Sequence, residues 1–476
     1  MKIMFATSEA APFIKTGGLG DVAQALPQEL SKIKDVEVCV FLPYYKKIKD
    51  NPDIKVEFIK SFSVGLAWRE EYVGVFKSVS KSKKMQVYFI DNEYYFYRDS
   101  VYGDYDDGER FTYFSYAVLE SIRQLDYHPD IIHCNDWQTA LIPVLKKAKY
   151  LGLEEYDRIR TVFTIHNIEY QGKMPNEFFQ DVIGIDEYWR NVLTYDKCIN
   201  FMKSAIVCAD KITTVSKTYS YEIRHAFFAH GLQDIIKENE YKLEGIVNGI
   251  NTDIYNPKKD PALNVPFSPT DMSGKAKAKE DLQKMLGLPV RPDVPVISMI
   301  SRLASHKGLD LVEYVMGDLM SRDIQFVVVG TGMSKYEDMF NFNAYVHPDK
   351  MSSNIKFDPV LANKVYAGSD IFLMPSKSEP CGLSQLIAMR YGTVPVVRET
   401  GGLYDTVPAL NIETLEGRGF TFKGYNAHDM LGAIDRCIDF YYNKDKWNKH
   451  IKNLAKFNSS WKSSAADYLR IYSELI

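Results

Sequence analysis

Lys15-Thr16-Gly17-Gly18-Leu19-Gly20-Asp21 sets a cation, three glycines and a carboxylate ahead of a helical pattern that runs to about Leu30. Glycines let the backbone approach a ligand closely, and a helix start offers free N–H groups to an anion. Taken alone, such a loop also fits a plain tight turn. Ser301-Arg302-Leu303-Ala304-Ser305-His306-Lys307-Gly308 follows an apolar run and carries two cations five residues apart. Arg is a planar fork and Lys a point charge, a pair suited to a diphosphate; the bland alternative is a solvated basic loop. Ser378-Glu379-Pro380-Cys381-Gly382-Leu383-Ser384 brings a carboxylate to the start of another helix, and Thr400-Gly401-Gly402-Leu403 adds a second glycine turn. Together these read as the rim of a nucleotide pocket. His166-Asn167 and Asn135-Asp136-Trp137 end two further apolar runs. Polar tips on apolar strands supply neutral donors and acceptors of the kind that sugar hydroxyls need. A lone tip His is more often a satisfied structural residue.

These loops need strands to hold them. Residues 2–8, 36–43, 85–91, 130–135, 160–167 and 210–216 are short, near-continuously apolar runs, and residues 294–301, 324–330, 353–357, 370–375, 393–397 and 419–422 repeat the rhythm. Continuous rather than alternating apolar runs mark parallel strands covered on both faces. Residues 136–150 and 217–228 read as helices between strands. The fold class is α/β, with two Rossmann-like doubly wound domains facing a central cleft. Ligands in such sheets sit beyond the carboxyl ends of the strands. The expected boundaries are an N-terminal domain over residues 1–247, a hinge at 248–257 and a C-terminal domain over 258–456. Residues 457–476 should form a C-terminal helix, amphipathic because Tyr468, Leu469, Tyr472 and Leu475 recur at helical spacing, and it is expected to pack back on the first domain. The Pro- and Gly-rich stretch from Gly245 to Asp293 reads as the hinge followed by a polar loop into a helix.

Composition narrows the chemistry. The 476 residues carry 58 Lys+Arg against 62 Asp+Glu, a net charge of −4 that argues against a nucleic-acid partner. No apolar run approaches the ~20 residues of a membrane span, and the first residues lack a signal-peptide core, so a cytoplasmic location without a membrane partner is expected. The six cysteines are far apart, with no C-x-x-C pair, and read as reduced thiols. No metal site is expected. Tyr94, Tyr95, Phe96 and Tyr97 form an aromatic run that fits an exposed sugar-stacking platform, core packing or a mobile loop. The first glycine loop does not have the G-x-G-x-x-G spacing, and lysines stand where an acidic ribose anchor would follow the second strand. A nicotinamide dehydrogenase is therefore disfavoured.

In order, KTGGLGDV (15–22), NDWQTAL (135–141), TIHNIEYQG (164–172), IVNGINTDIYNP (246–257), SRLASHKGLDL (301–311), VVVGTG (327–332), AGSDIFLMPSKSEPCGLSQL (367–386) and RYGTVPVVRETGGLYDTV (390–407) span essentially the whole chain. This ordered set resembles the bacterial glycogen synthases and plant starch synthases, retaining glycosyltransferases of the GT-B class. The resemblance implies ADP-glucose as donor, glycogen or another α-1,4-glucan as acceptor, and no cofactor. It implies donor-binding roles for Lys15, Gly18, Asp21, His166, Asn167, Asn248, Arg302, Lys307, Phe357, Glu379, Cys381, Gly382, Leu383 and Ser384. Among these Lys15, His166, Arg302, Lys307 and Glu379 would carry the chemistry. Phe357 would stack on adenine, and Asp136 and Trp137 would line the acceptor side. The sequence departs from the common family pattern at Ser384 (usually Thr), His306 (usually Gln) and Tyr255 (commonly Trp). A UDP-glucose-dependent relative, a transferase with another acceptor and a catalytically silent glucan-binding paralogue are the competing readings.

Overall fold

The apolar runs fold as parallel strands whose side chains are buried on both faces, and their order fixes where the functional loops emerge. The computed structural model describes residues 1–79 and 84–476. These form two compact units, one of residues 1–248 with 461–476 and one of residues 249–460.

In the first unit the sheet uses β1 (Lys2–Ala6), β2 (Glu37–Pro43), β3 (Val56–Leu66), β4 (Arg69–Ser78), β5 (Met85–Asp91), β6 (Ile131–Asn135) and β7 (Arg160–Ile165). The short β8 (Lys173–Met174), β9 (Thr194–Tyr195) and β10 (Cys198–Asn200) make a separate antiparallel sheet. β11 (Lys211–Thr214) and β12 (Leu243–Gly245) complete the main one. Its order is β12-β11-β7-β6-β1-β2-β5-β4-β3. All neighbours are parallel except the β3–β4 hairpin at one edge and its junction with β5. Ile3, Met4, Phe5, Ile131, Ile132, Val162 and Phe163 are each fully buried. The hairpin was not foreseen because β3 faces water along most of its length. A bulge between Phe58 and Lys60 also breaks its apolar alternation.

The second unit has β13 (Val296–Ile300), β14 (Gln325–Val329), β15 (Met351–Asn354), β16 (Ile371–Met374), β17 (Val394–Arg398) and β18 (Phe420–Phe422). They pair in parallel in the order β15-β14-β13-β16-β17-β18. In each unit the strand order reverses at one point, between β1 and β6 and between β13 and β16. Loops leaving a sheet on either side of such a reversal diverge and leave a crevice for ligand. The loops after these four strands are those carrying the Lys15, Asp136, Lys307 and Glu379 motifs.

Three segments differ from the sequence reading. Residues 136–150 are not one helix but a 3-10 turn at Trp137–Thr139 followed by a helix at Leu141–Lys149. Residues 217–228 break into helices Lys217–Glu222 and Ala226–Ala229, with His225 extended between them. β15 ends at Asn354, so Phe357 lies beyond the strand rather than on it. The polar stretch before β13 holds a helix, Ser273–Met285, whose Lys275 and Lys279 are buried. Lys275 Nζ donates to the carbonyls of Ala367, Ser369 and Tyr391 and to Thr393 Oγ1 at 2.9–3.0 Å. Lys279 Nζ pairs with Asp370 at 2.8 Å. These ammonium groups tie the helix to the strand ends of β16 and β17.

The terminal helix Trp461–Leu475 belongs to the first unit, with Trp461, Tyr468 and Tyr472 buried. Among the described residues no helix is long and apolar enough to cross a membrane.

Candidate active site

In the first unit the loop after β1 is organised by a carboxylate that sequence reasoning missed. Glu9 is only 3% exposed. Its Oε2 accepts the backbone N–H of Thr16 at 2.5 Å and of Gly17 at 3.1 Å. Its Oε1 accepts the hydroxyls of Thr16 at 2.6 Å and Tyr102 at 2.7 Å. The signal was present as the single acidic residue in the otherwise neutral TSEAAPF. Beyond it Lys15 is exposed and its Nζ donates to Asp21 Oδ1 at 2.8 Å. Burial raises the Asp21 carboxyl above its ordinary value, against the pull of the Lys15 ammonium. Gly18 opens the helix Gly18–Ser31 and is exposed.

The tips of β6 and β7 interlock. Asp136, at a left-handed φ of 54°, accepts the N–H groups of His166 at 2.8 Å and Asn167 at 3.3 Å on Oδ1. Asn135 Nδ2 donates to the Ala6 carbonyl at 3.0 Å, so its Oδ1 is the atom facing His166 Nε2 at 2.9 Å. Nε2 must therefore carry the imidazole proton, and Nδ1 is left as an acceptor. Burial lowers the His166 value to about 3, which keeps the ring neutral at physiological pH. Burial raises Asp136 to about 7, more than the two amides lower it. Trp137 is packed rather than open: it is 9% exposed, with ring centroids 5.3 Å from Phe111 and 6.1 Å from Phe201. Asn248 is buried, and its Oδ1 has no hydrogen-bond partner among the described residues.

In the second unit the loops after β13 and β16 meet. Lys307 Nζ donates to Glu379 Oε2 at 2.7 Å, and Ser376 Oγ donates to the same oxygen at 3.0 Å. Gly308, at φ 73°, makes this approach possible, because a Cβ there would stand 2.1 Å from the Pro375 carbonyl oxygen. A backbone bond from Lys377 N–H to the His306 carbonyl at 2.8 Å seals the two loops. The Thr400-Gly401-Gly402 turn packs behind them, with Gly402 N–H donating to the Glu379 carbonyl at 3.1 Å. Arg302 is exposed, and its guanidinium makes no ion pair or hydrogen bond with any described residue. Cys381 is buried. Gly382 and Leu383 are half-buried, and so is Ser384 at the head of helix Ser384–Arg390. Gln385, also missed, holds this loop by donating to the carbonyls of Cys381 and Gly382 at 3.1 and 2.9 Å. Phe357 is 72% exposed, leaving its ring available for stacking.

The structure thus gathers Asp136, His166 and Asn167 at one reversal point and Lys307, Glu379 and the Cys381–Ser384 loop at the other. The aromatic run splits: Tyr95 and Phe96 are core, whereas Tyr94 and Tyr97 are exposed. Among the described residues no group of three or more His, Cys, Asp or Glu side chains is arranged to hold a metal ion.

Comparison with known proteins agrees with this geometry. The family described as starch synthase catalytic domain matches residues 2–238, and that described as glycosyl transferases group 1 matches residues 285–454. A glycogen synthase of Clostridium novyi is 47% identical over all of this chain and 99% of its own length. The chain belongs to the glycogen synthase family. It is a glycosyltransferase. A glycogen synthase of Bacillus cereus is 46% identical over the full length of both proteins. Among solved structures, the catalytic domain of starch synthase IV from Arabidopsis thaliana, bound to ADP and acarbose, is similar at a TM-score of 0.91. It is 32% identical, with 100% of this chain and 99% of that one covered. Sucrose-phosphate synthase from Thermosynechococcus elongatus, at 16% identity and a TM-score of 0.63 over 100% of this chain and 98% of that one, shares the fold. The glycogen synthase family assignment spans both units, and the fold is GT-B.

Proposed function

We propose that this glycosyltransferase moves glucose from ADP-glucose to the non-reducing 4-hydroxyl of an α-1,4-glucan with retention of configuration. The observation that carries this reading is the Lys307–Glu379 pair at the strand reversal of the second unit, with the exposed Arg302 on the same loop. An ammonium has three donors. One is engaged by Glu379, so Lys307 keeps others for a diphosphate, while Arg302 brings a guanidinium with no protein partner among the described residues. Family membership over the full length and the ADP and acarbose bound to the Arabidopsis starch synthase support a nucleotide donor and a saccharide acceptor.

In this reading bond breaking at the anomeric carbon places charge on the departing diphosphate and oxocarbenium character on the sugar. Arg302 and Lys307 neutralise the leaving group as that charge develops, and Lys15 is assigned a donor-binding role of its own. The protein's own cations take this part, so no resident metal or organic cofactor is called for. Neutral His166 offers Nδ1 as acceptor to a glucose hydroxyl, with Asn167 and Asn248 contributing amides to the same sugar. Glu379 accepts from the sugar hydroxyls, beside the backbone of Cys381, Gly382 and Leu383. Ser384 meets the phosphates, Phe357 stacks on adenine, and Asp136 and Trp137 shape the acceptor side. Gly18 gives close backbone approach, and Asp21 steadies Lys15. The glucan hydroxyl attacks on the face the diphosphate leaves, and its proton passes to the departing phosphate oxygen.

A donor screen tests the reading. Labelled ADP-glucose and UDP-glucose are supplied with glycogen, and both label incorporation and nucleoside diphosphate release are measured. Preferential transfer from ADP-glucose is expected; equal or better use of UDP-glucose overturns the donor assignment. Absence of transfer from either donor overturns the catalytic reading.

A further inference from the structure

Lys15 sits on a loop that Glu9 holds in place. Glu9 follows β1 by three residues, and its four donors divide two to each carboxylate oxygen, as described above. Two of those donors are the consecutive backbone amides immediately after Lys15, and a third is the side chain of Thr16. All four bonds require an acceptor, and a carboxylate offers acceptor positions on both of its oxygens. The partner on the far side is also fixed, because Tyr102 Oη shares a hydrogen bond with Ser8 Oγ at 2.7 Å. No lysine or arginine pairs with Glu9 among the described residues, so its partners are backbone amides and hydroxyls.

The Lys15 stem is constrained from the opposite side. A Cβ added at Gly20 would stand 3.0 Å from Lys15 Cβ and Cγ, so the stem lies across the first helical turn. Gly20 is tied back in turn, its carbonyl accepting from Ala11 N–H at 3.0 Å. Lys15 therefore has its following backbone set by Glu9, its stem set by Gly20 and its ammonium met by Asp21. Burial is the main cause of the raised pKa values of Asp21 and Asp136, and the Glu9 carboxylate adds to both in the same direction.

We propose that Glu9 is a positioning residue for the transfer reaction: its buried carboxylate fixes the Thr16–Gly17 backbone and thereby aims the Lys15 ammonium at the donor. This rests on the functional reading above. Glu9 touches neither substrate nor leaving group; its effect runs through Lys15. Losing the carboxylate releases two backbone amides and a hydroxyl at once, and a misplaced charge costs transition-state stabilisation far more than folding.

A double-mutant cycle separates these possibilities. Glu9→Gln, Lys15→Ala and the pair are compared with the wild-type enzyme in kcat and in KM for ADP-glucose, with thermal unfolding recorded for each. Glu9→Gln is expected to lower kcat/KM for the donor by about 10–100-fold when Lys15 is present. In the Lys15→Ala background the same change should alter kcat/KM less than about twofold. Equal losses in both backgrounds, or a Glu9→Gln enzyme within twofold of wild type, overturn the proposal. Should Glu9→Gln not fold, Thr16→Val removes a single bond to Oε1 from an exposed position. It is expected to lose about 3–10-fold, again only with Lys15 present; no loss overturns the proposal. A wild-type enzyme that transfers no glucose defeats the functional reading itself. An active wild type with an unaffected Glu9→Gln defeats only this inference.

Discussion

Lys307 Nζ stands 2.7 Å from Glu379 Oε2, joining loops 72 residues apart in the chain at the point where the second sheet reverses its strand order. Both side chains are mostly buried. A pair held this way costs no reorganisation when charge appears on a leaving group. Lys307→Ala should therefore lower kcat by about 10²–10³-fold, the range for removing one preorganised stabilising group. Glu379→Gln should lower it as well, since a neutral amide oxygen anchors the ammonium less strongly than a carboxylate does. Steady-state turnover at saturating donor checks both; near-wild-type kcat in Lys307→Ala removes Lys307 from the mechanism.

His166 should remain uncharged throughout the working range. Its value of about 3 follows from burial. The Nε2–H to Asn135 bond at 2.9 Å fixes which nitrogen carries the proton. An NMR titration of the imidazole should show a neutral ring with its proton on Nε2 at pH 5. The acidic limb of the activity profile should not move in an Asn135→Ala enzyme. A His166 resonance titrating between pH 6 and 7 contradicts this.

Asp136 gives a stability signature of opposite character. Its folded value of about 7 lies above the ordinary carboxylate value near 4. The folded chain therefore holds an extra proton between those limits. The associated stability is fully present below about pH 4 and is lost as pH rises through about 7. Asp136→Asn keeps an acceptor for the His166 and Asn167 amides and carries no charge. Relative to wild type the variant should gain stability between pH 5 and pH 8, by about 2–4 kcal/mol. Urea unfolding at the two pH values measures it, and a pH-independent difference contradicts it.

Most of the strand framework was legible in the sequence because parallel strands covered on both faces are apolar without interruption. The β3–β4 hairpin escaped for the complementary reason: one of its faces is wet and its alternation is broken at Ile59. Lys275 and Lys279 look like surface residues in KAKAKED, yet each is buried with its ammonium on carbonyls or a carboxylate that only the folded sheet brings there. At the site, Lys307 and Glu379 were visible as two separate motifs, but not their contact. Glu9 stood out only as the lone acid of TSEAAPF; its role was not legible because its four donors come from positions 16, 17 and 102, and spacing alone carries no trace of Tyr102.

The terminal helix supplies the last test. His133, fully buried on β6, has its Nε2 on Thr164 Oγ1 at 2.6 Å and its Nδ1 on Tyr472 Oη at 2.6 Å. Thr164 continues the chain to Thr213 Oγ1 at 2.5 Å. The helix Trp461–Leu475 thus reaches the centre of the first unit's sheet through one phenol. Tyr472→Phe preserves the ring packing but leaves a buried imidazole nitrogen without its partner. That should cost about 1–3 kcal/mol of stability. Burial already holds the His133 value well below ordinary, so the ring cannot compensate by taking a proton at pH 7. Chemical unfolding of the variant at pH 7 gives the number. A change under a few tenths of a kcal/mol would mean that Tyr472 contributes through its ring alone.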